Sequence, residues 1–507
     1  MSASTERKNR QAAREAGTDK KMLALEKEGK EKARSKRRWT IGTAAVVILI
    51  ALVLLLNSPL VYRSTAYSVG DRNYSTAEVN YYYANQYHTF ANQYGNYASM
   101  FGLDTSNGVR GLDKQDCPFT EGSWKDYFLD GARNQMLQNT ALLDYAAANG
   151  IALDESETAA VDASFTGIDE AAKAYGYGSA DKMMAANYGT GVTVRLVRGA
   201  YLDSALAGKT LEAAADAFTY TDAQLEEQYA GYNGERDVFT IDYVQVEAHD
   251  HDNPESEVTD EMKAEARAKA EAVKAAYEEG LDPVDPQGLD FAAEANGLTA
   301  THQTLSGSSL SFAKEWLMDA ARKAGDVTVE ESGDHIYVVL FLGRDDNHYR
   351  TVSVRHILVK AVPSEDGTYS DEAKAEARAK AEEILAEYEA GDKSEESFAA
   401  LAEQYSEDGG SNTNGGLYEG VYKNQMVAEF NDFCFGPHAK SKGDTAIVYG
   451  ESSGYAGYHV MYYVGEGDLY SNTLAAQDLR NTDVESWLTG LTDAYATGDG
   501  FGMKFVG

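Results

Sequence analysis

Val79, Tyr83, Tyr87, Phe90, Tyr94 and Tyr97 recur at spacings of three and four, the period that lines side chains along one helical face. Ser75-Thr76-Ala77-Glu78, just ahead, is a capping-box pattern, so a helix is predicted to start near residue 76. A second helix is predicted after Ser123, from Trp124 towards Ala148, with Gly150 as its stop. Helical periodicity continues at about 155–175, 179–187, 191–216 and 222–231, while 58–73 reads as a linker or a short strand. The aromatic stripe has two readings: a packing face, or an adhesive groove for extended apolar chains.

Further along, the pattern repeats. Thr259–Gly280 (TDEMKAEARAKAEAVKAAYEEG) and Ser370–Gly391 (SDEAKAEARAKAEEILAEYEAG) share 15 of 22 residues at a separation of 111. Composition alone could align two Ala/Glu/Lys helices, so the flanks decide. A β-rich run precedes each copy, at 238–246 and 352–359. A shorter helical piece follows each, at 290–293 and 397–402, and each block closes on a strand, His335–Gly343 or Gly457–Gly465. Shared order around the helix predicts two related α+β modules, 236–345 and 350–466. The tail around 471–496 is amphipathic through Leu474, Leu479, Val484, Trp487, Leu488 and Leu491, and is expected to return and pack on the N-terminal helices.

Charge changes the picture at the N-terminus. Of 45 Lys+Arg and 81 Asp+Glu (net −36), residues 1–38 hold 13 and 6, a local +7, leaving 32 − 75 = −43 for the remainder. Trp39–Leu56 follows without a charge. Its 18 residues would rise about 27 Å as a helix, close to a hydrocarbon core. The expectation is a transmembrane anchor at 39–57, a cytoplasmic basic tail at 1–38 by the positive-inside rule, and the main body outside the cytoplasm. A cleaved signal peptide is the rival, with an unusually long basic region. No cysteine follows the run, which excludes a lipoprotein anchor. The fold class expected is therefore multidomain α+β: a transmembrane helix, a helical region at 58–235, two related modules, and a helical tail at 467–507.

At 507 residues the chain is too long for one core, and 43% hydrophobic residues suffice for folded ones. Two cysteines, Cys117 and Cys434, exclude a disulfide scaffold and multi-cysteine metal sites. Cys434, between Phe433 and Phe435, is expected to be buried. The acidic balance argues against nucleic acid as a partner. His249-Asp250-His251-Asp252 reads as a solvated turn, so no metal and no cofactor is expected.

In the second module the residues carry a specific likeness. Arg355-His356-Ile357-Leu358-Val359, then Phe398 through Asp408, Gly415-Gly416, Met426-Val427-Ala428-Glu429-Phe430 and Gly457-Tyr458-His459-Val460 occur in order. Together they resemble a parvulin-type peptidyl-prolyl cis–trans isomerase domain, and the whole layout looks like the membrane-tethered foldases related to PrsA and SurA. The resemblance implies paired histidines, His356 and His459, on adjacent strands beneath the substrate. It places the family's catalytic Cys-or-Asp position on Asp408, and the proline pocket on Met426 and Phe430 with Leu417 as a wall. Rotation about an X–Pro imide needs no bond made or broken. It needs a grip on the pyrrolidine ring and an environment favouring the twisted state over a barrier of about 18–20 kcal/mol.

Two departures bear on that reading. The family's Gly-Gly-Asp-Leu-Gly stretch is Gly415-Gly416-Leu417-Tyr418-Glu419-Gly420, and the Thr usual before the last histidine is missing, with Gly454 and Tyr455 there and Ser453 as a substitute. In the first module Tyr243 and Tyr337 fall opposite His356 and His459, and no Ser-Glu-Asp…Gly-Gly segment lies between Asn296 and Phe312. That module is expected to pack or bind clients without isomerising them. The function implied is an extracytoplasmic isomerase and chaperone for unfolded or newly secreted polypeptides with X–Pro bonds. Its alternatives are a non-catalytic holdase with vestigial modules and a surface protein with one dedicated partner.

Overall fold

A computed structural model describes residues 3–17, 20–56, 58–248, 258–280, 288–438, 440–452 and 454–507. The chain divides into two compact units, Met1–Phe218 with Thr482–Gly507, and Thr219–Asn481.

In the first unit the capping boxes predicted at Ser75 and Ser123 are both formed, each serine accepting from the backbone of the third helical residue. They start the helices Thr76–Tyr94 and Trp124–Asn149. Along the first, Val79, Tyr83, Tyr87 and Phe90 are buried in one core with Trp124 and Phe128. Phe90 lies 5.0 Å from the Trp124 ring, which stacks on Phe128 at 5.4 Å. The aromatic stripe is therefore a packing face, and only its last member, Tyr97, is largely exposed. The chain's end contributes a strand, Thr497–Asp499, that pairs with Thr65–Val69, itself paired with Arg72–Ser75. Trp487 meets Tyr145 edge-on at 5.1 Å, so the last part of the tail packs on these helices, whereas Leu474 and Leu479 pack on the helix Asp222–Gly231 of the second unit.

The N-terminal segment corrects the membrane expectation. Among the described residues no helix is long and apolar enough to cross a membrane. The helix Lys20–Leu56 exists, but its first half is charged. Thr40 and Thr43 return hydroxyl bonds to the carbonyls of Lys36 and Trp39. The continuous apolar run is Ala44–Leu56, 13 residues, a rise of about 20 Å against a hydrocarbon core of about 30 Å. Absence of charge over Trp39–Leu56 was too weak a criterion. The transmembrane helix in the expected fold class, and the single-pass placement that rested on it, are withdrawn.

The second unit holds two four-stranded antiparallel sheets built alike. In the first, the strand order is Thr301–Ser306, Val238–Glu247, His335–Asp345, Val327–Ser332; in the second, Leu417–Val421, Arg350–Lys360, Tyr455–Leu469, Thr445–Ser452. The repeated helices are Asp260–Gly280 and Asp371–Ala390. Each buries the same four positions: Ala266, Ala270, Val273 and Tyr277 in one, Ala377, Ala381, Ile384 and Tyr388 in the other. Small alanines let the helix axis approach the sheet, while the tyrosine closes the far end. Equivalent backbone bonds, Ala248 N–H to Asp334 and Ala361 N–H to Ala456, fix a common frame. In that frame Tyr243 pairs with Val339 as His356 pairs with Met461, so Tyr243 and Tyr337 occupy the places of His356 and His459. The helix Asp222–Gly231 belongs to this unit, ahead of the boundary expected at 236.

Candidate active site

Period-two alternation sorts the two central strands of the second sheet. Ile357, Val359, Val460 and Tyr462 face the helices; Val352, Val354, Met461 and Tyr463 face the other way, towards Phe430 and Phe433. His356 and His459 share this second face. His356 is opposite Met461 and His459 opposite Leu358, which makes the histidines diagonal neighbours. Both are buried, at 3% and 4% exposure. Their Nδ1 atoms lie 2.9 Å apart and their rings are nearly parallel, 19° between planes.

Asp408 arrives from the end of the helix Glu395–Tyr405. Ser406 Oγ accepts from Leu358 N–H, Glu407 N–H donates to the Leu358 carbonyl, and Lys360 N–H donates to the Glu407 carboxylate. These bonds pin the segment along the strand that carries His356. Asp408 Oδ2 then meets His356 Nε2 at 3.0 Å, Ser411 Oγ at 2.6 Å and Tyr418 OH at 3.0 Å. Its Oδ1 accepts from Gly410 N–H at 3.2 Å. At the other end Tyr455 OH lies 3.0 Å from His459 Nε2. One chain of contacts thus runs Tyr455–His459–His356–Asp408.

Phe430, 2% exposed, stands edge-on to both imidazoles, with centroids at 5.6 Å and 5.7 Å. Met426 is half-buried in the same apolar cluster. Leu417 is not brought in. It pairs with Arg355, whereas Tyr418 pairs with Val354 and so faces the histidines, its ring 5.2 Å from His356. Two glycines make room. Gly416 (φ +72°) accepts from His356 N–H, and a Cβ there would lie 2.3 Å from the His356 carbonyl oxygen. A Cβ on Gly450 would sit 2.8 Å from His459 Nε2.

The charges follow from these contacts. The bond from His356, with help from Ser411 and Gly410, holds the Asp408 carboxyl well below its ordinary range despite partial burial. Burial, with His356 alongside, drops His459 to about 3, so its ring is neutral near pH 7. Burial raises Tyr418, reinforced by Asp408, and Tyr455 is also raised by burial. Cys434 is buried beneath the site and pushed up to about 12, so it stays a thiol.

Sequence reasoning missed Ser411, Tyr418 and Tyr455. Strand parity would have found Tyr418, since only one of Leu417 and Tyr418 can face His356. Ser453 and the His249–Asp252 run lie outside the described residues. In the first module the corresponding face is closed: Phe312 stacks flat on Tyr337 (4.1 Å, 3°) with Tyr243 5.0 Å away.

Residues 338–461 match the family described as the PPIC-type PPIASE domain. The chain carries a parvulin-type isomerase domain. The curated relatives it resembles include two proteins named Chaperone SurA from Pseudomonas fluorescens, from strains Pf0-1 and Pf-5. They are 26% and 29% identical over 249 residues, 45% of this chain. The chain spans about half the length of these relatives, 54%. Among solved structures, PrsA from Bacillus anthracis is 21% identical with TM-score 0.18, covering 29% of this chain and 59% of that one. PrsA from Bacillus subtilis is 12% identical with TM-score 0.25, covering 74% and 90%. The parvulin-type match starts inside the strand His335–Asp345 and includes His356, Asp408, Phe430 and His459.

Proposed function

We propose that the chain is a peptidyl-prolyl cis–trans isomerase and chaperone of the SurA and PrsA class, acting on unfolded or newly secreted polypeptides that contain X–Pro bonds. The observation that carries this reading is the buried His356–His459 pair, bonded to Asp408 and roofed by Phe430, inside the segment that matches the family.

The planar imide owes its barrier to resonance that separates charge between nitrogen and oxygen. An apolar, water-poor niche disfavours that separation, so it favours the twisted state relative to the planar one. Phe430 and Met426 supply the apolar wall for the pyrrolidine ring. His356 and His459, one of them held neutral, supply a polar floor without a free charge. Asp408 fixes the floor's orientation and keeps the negative charge at its far end. A differential of about 4 kcal/mol between twisted and planar states would give roughly a thousandfold acceleration.

The test is cis-to-trans relaxation of an X–Pro peptide by the full-length chain. Acceleration that is lost in His459→Asn, with folding retained, supports the reading. A folded wild-type chain with no acceleration over background refutes it and leaves the holdase alternative.

A further inference from the structure

Every nitrogen of the two imidazoles has a partner, and with both rings uncharged those partners permit one consistent placement of protons. Asp408 is a carboxylate, an acceptor only. Its Oδ2 already accepts from Ser411 Oγ at 2.6 Å and lies 3.0 Å from His356 Nε2. The second lone pair of Ser411 lies 3.2 Å from the same nitrogen. A bare His356 Nε2 would therefore face two lone pairs, so it carries a proton. With that ring uncharged, His356 Nδ1 is an acceptor. Among the described residues the group against it is His459 Nδ1 at 2.9 Å, so that atom carries the proton of the pair. His459 is neutral, which leaves its Nε2 an acceptor facing Tyr455 OH at 3.0 Å.

We infer that Tyr455 is a positioning residue, whose hydroxyl donates to His459 Nε2 and so sets the direction of the whole Tyr455–His459–His356–Asp408 chain. This rests on the proposed isomerase reading for its catalytic consequence but not for its geometry. Without the hydroxyl, His459 is free to move its proton to Nε2. That move strips the Nδ1–Nδ1 contact of its hydrogen unless His356 reverses as well, and a reversed His356 turns a lone pair towards the Asp408 carboxylate. The floor of the niche then has no single low-energy arrangement. Tyr455 is half-buried, sits four residues before His459 at the start of the same strand, and reaches the ring from outside the Asp408 cluster. Tyr418 plays a different part, since its hydroxyl ends on Asp408.

The experiment is two-bond 1H–15N correlation of the imidazoles in full-length protein carrying 15N-histidine at pH 7.5, with His459 assigned by its loss in His459→Asn. Wild type should show His459 protonated on Nδ1 and bare on Nε2. Tyr455→Phe, which keeps the ring, should move His459 to a mixed or Nε2-protonated pattern. It should lower kcat for an X–Pro peptide by about tenfold, the size expected for one polar contact, with KM within twofold. Tyr418→Phe should leave the His459 pattern as in wild type. A wild-type His459 protonated on Nε2 overturns the inference. So does a Tyr455→Phe pattern identical to wild type, whatever the rate. A wild-type chain without isomerase activity would refute the proposed function, while the nitrogen pattern still decides this point by itself.

Discussion

Replacing Asp408 with asparagine isolates the charge at the end of the chain of contacts. The carboxylate gathers three donors on Oδ2 (Ser411, His356 and Tyr418) and one on Oδ1, the Gly410 N–H. Asparagine can place its carbonyl where Oδ2 stands, but its NH2 then confronts the Gly410 N–H, and that bond is lost. The flipped amide is worse, since it aims donors at three donors. Three charge-assisted bonds become neutral ones, each weaker by about 1 kcal/mol. The side chain is 20% exposed, so solvent makes up part of the loss. The expected net is about 2 kcal/mol of stability at pH 7, read as the shift in urea unfolding of the second unit. The sign with pH follows from the lowered carboxyl. The stabilisation is complete above the unfolded value near 3.9 and disappears as pH falls through the lower folded value. The wild type and the variant should therefore converge in acid. If at least half of that energy steadies the imidazoles in the twisted-imide state, X–Pro relaxation should slow about 5- to 30-fold. An asparagine variant that folds and relaxes the peptide at the wild-type rate would refute the role given to the carboxylate.

Burial depresses His459 to about 3, so the unfolded chain binds the extra proton between pH 3 and 6.5. Stability should rise with pH across that window by up to about 1.4 kcal/mol per unit and level off above it. The rise should be absent in His459→Asn. Gly416→Ala must adopt φ +72° with a Cβ 2.3 Å from the His356 carbonyl. It should lose about 2 kcal/mol or more by denaturant unfolding and disturb the His356 imidazole signals. Tyr337→Leu in the first module removes the stacked contact with Phe312. It should lower thermal stability by about 1 kcal/mol with the isomerisation rate within twofold of wild type.

The repeat was readable in sequence because 15 of 22 helix residues recur between flanking strands in the same order. Ala266, Ala270 and Tyr277 recur as Ala377, Ala381 and Tyr388, and much of the exposed Ala/Glu/Lys surface recurs with them. The two strand pairs were visible as β-rich runs at 238–246, 335–343, 352–359 and 457–465. Other features could not be read, for reasons specific to each. Whether the aromatic stripe at Val79–Tyr94 packs or binds depends on Trp124 and Phe128, contributed by a segment some 30 residues away. Leu417 and Tyr418 are adjacent, and a one-residue difference in strand phase decides which reaches His356. Tyr455 stands near the place of the family's Thr, and its bond to His459 exists only because the strand turns its hydroxyl inward. At Trp39–Leu56 lack of charge was mistaken for apolarity, though Thr40, Gly42 and Thr43 shorten the run.

The two modules share a scaffold, and this permits a stringent test of where the chemistry resides. The frame of paired backbone bonds puts Tyr243 and Tyr337 at the histidine positions. A double change, Tyr243→His with Tyr337→His, would therefore set two imidazoles diagonal to each other on the first sheet. It should not create an isomerase. Between the helix Asp290–Ala295 and the strand Thr301–Ser306 there is no stretch to match 406–416, so this connection supplies no counterpart to the Asp408 carboxylate or the Ser411 hydroxyl. Phe312 already covers the face where a pyrrolidine ring would lie. The new imidazoles would stand at half-buried positions with no carboxylate to orient them, a loss of about 1–3 kcal/mol for each group left unsatisfied. Measured in full-length chain whose own site is disabled by His459→Asn, the double variant should unfold earlier and relax X–Pro peptides no faster than background. Appreciable acceleration there would show that paired histidines on this sheet suffice, and that the carboxylate and the hydroxyls of the second module are dispensable.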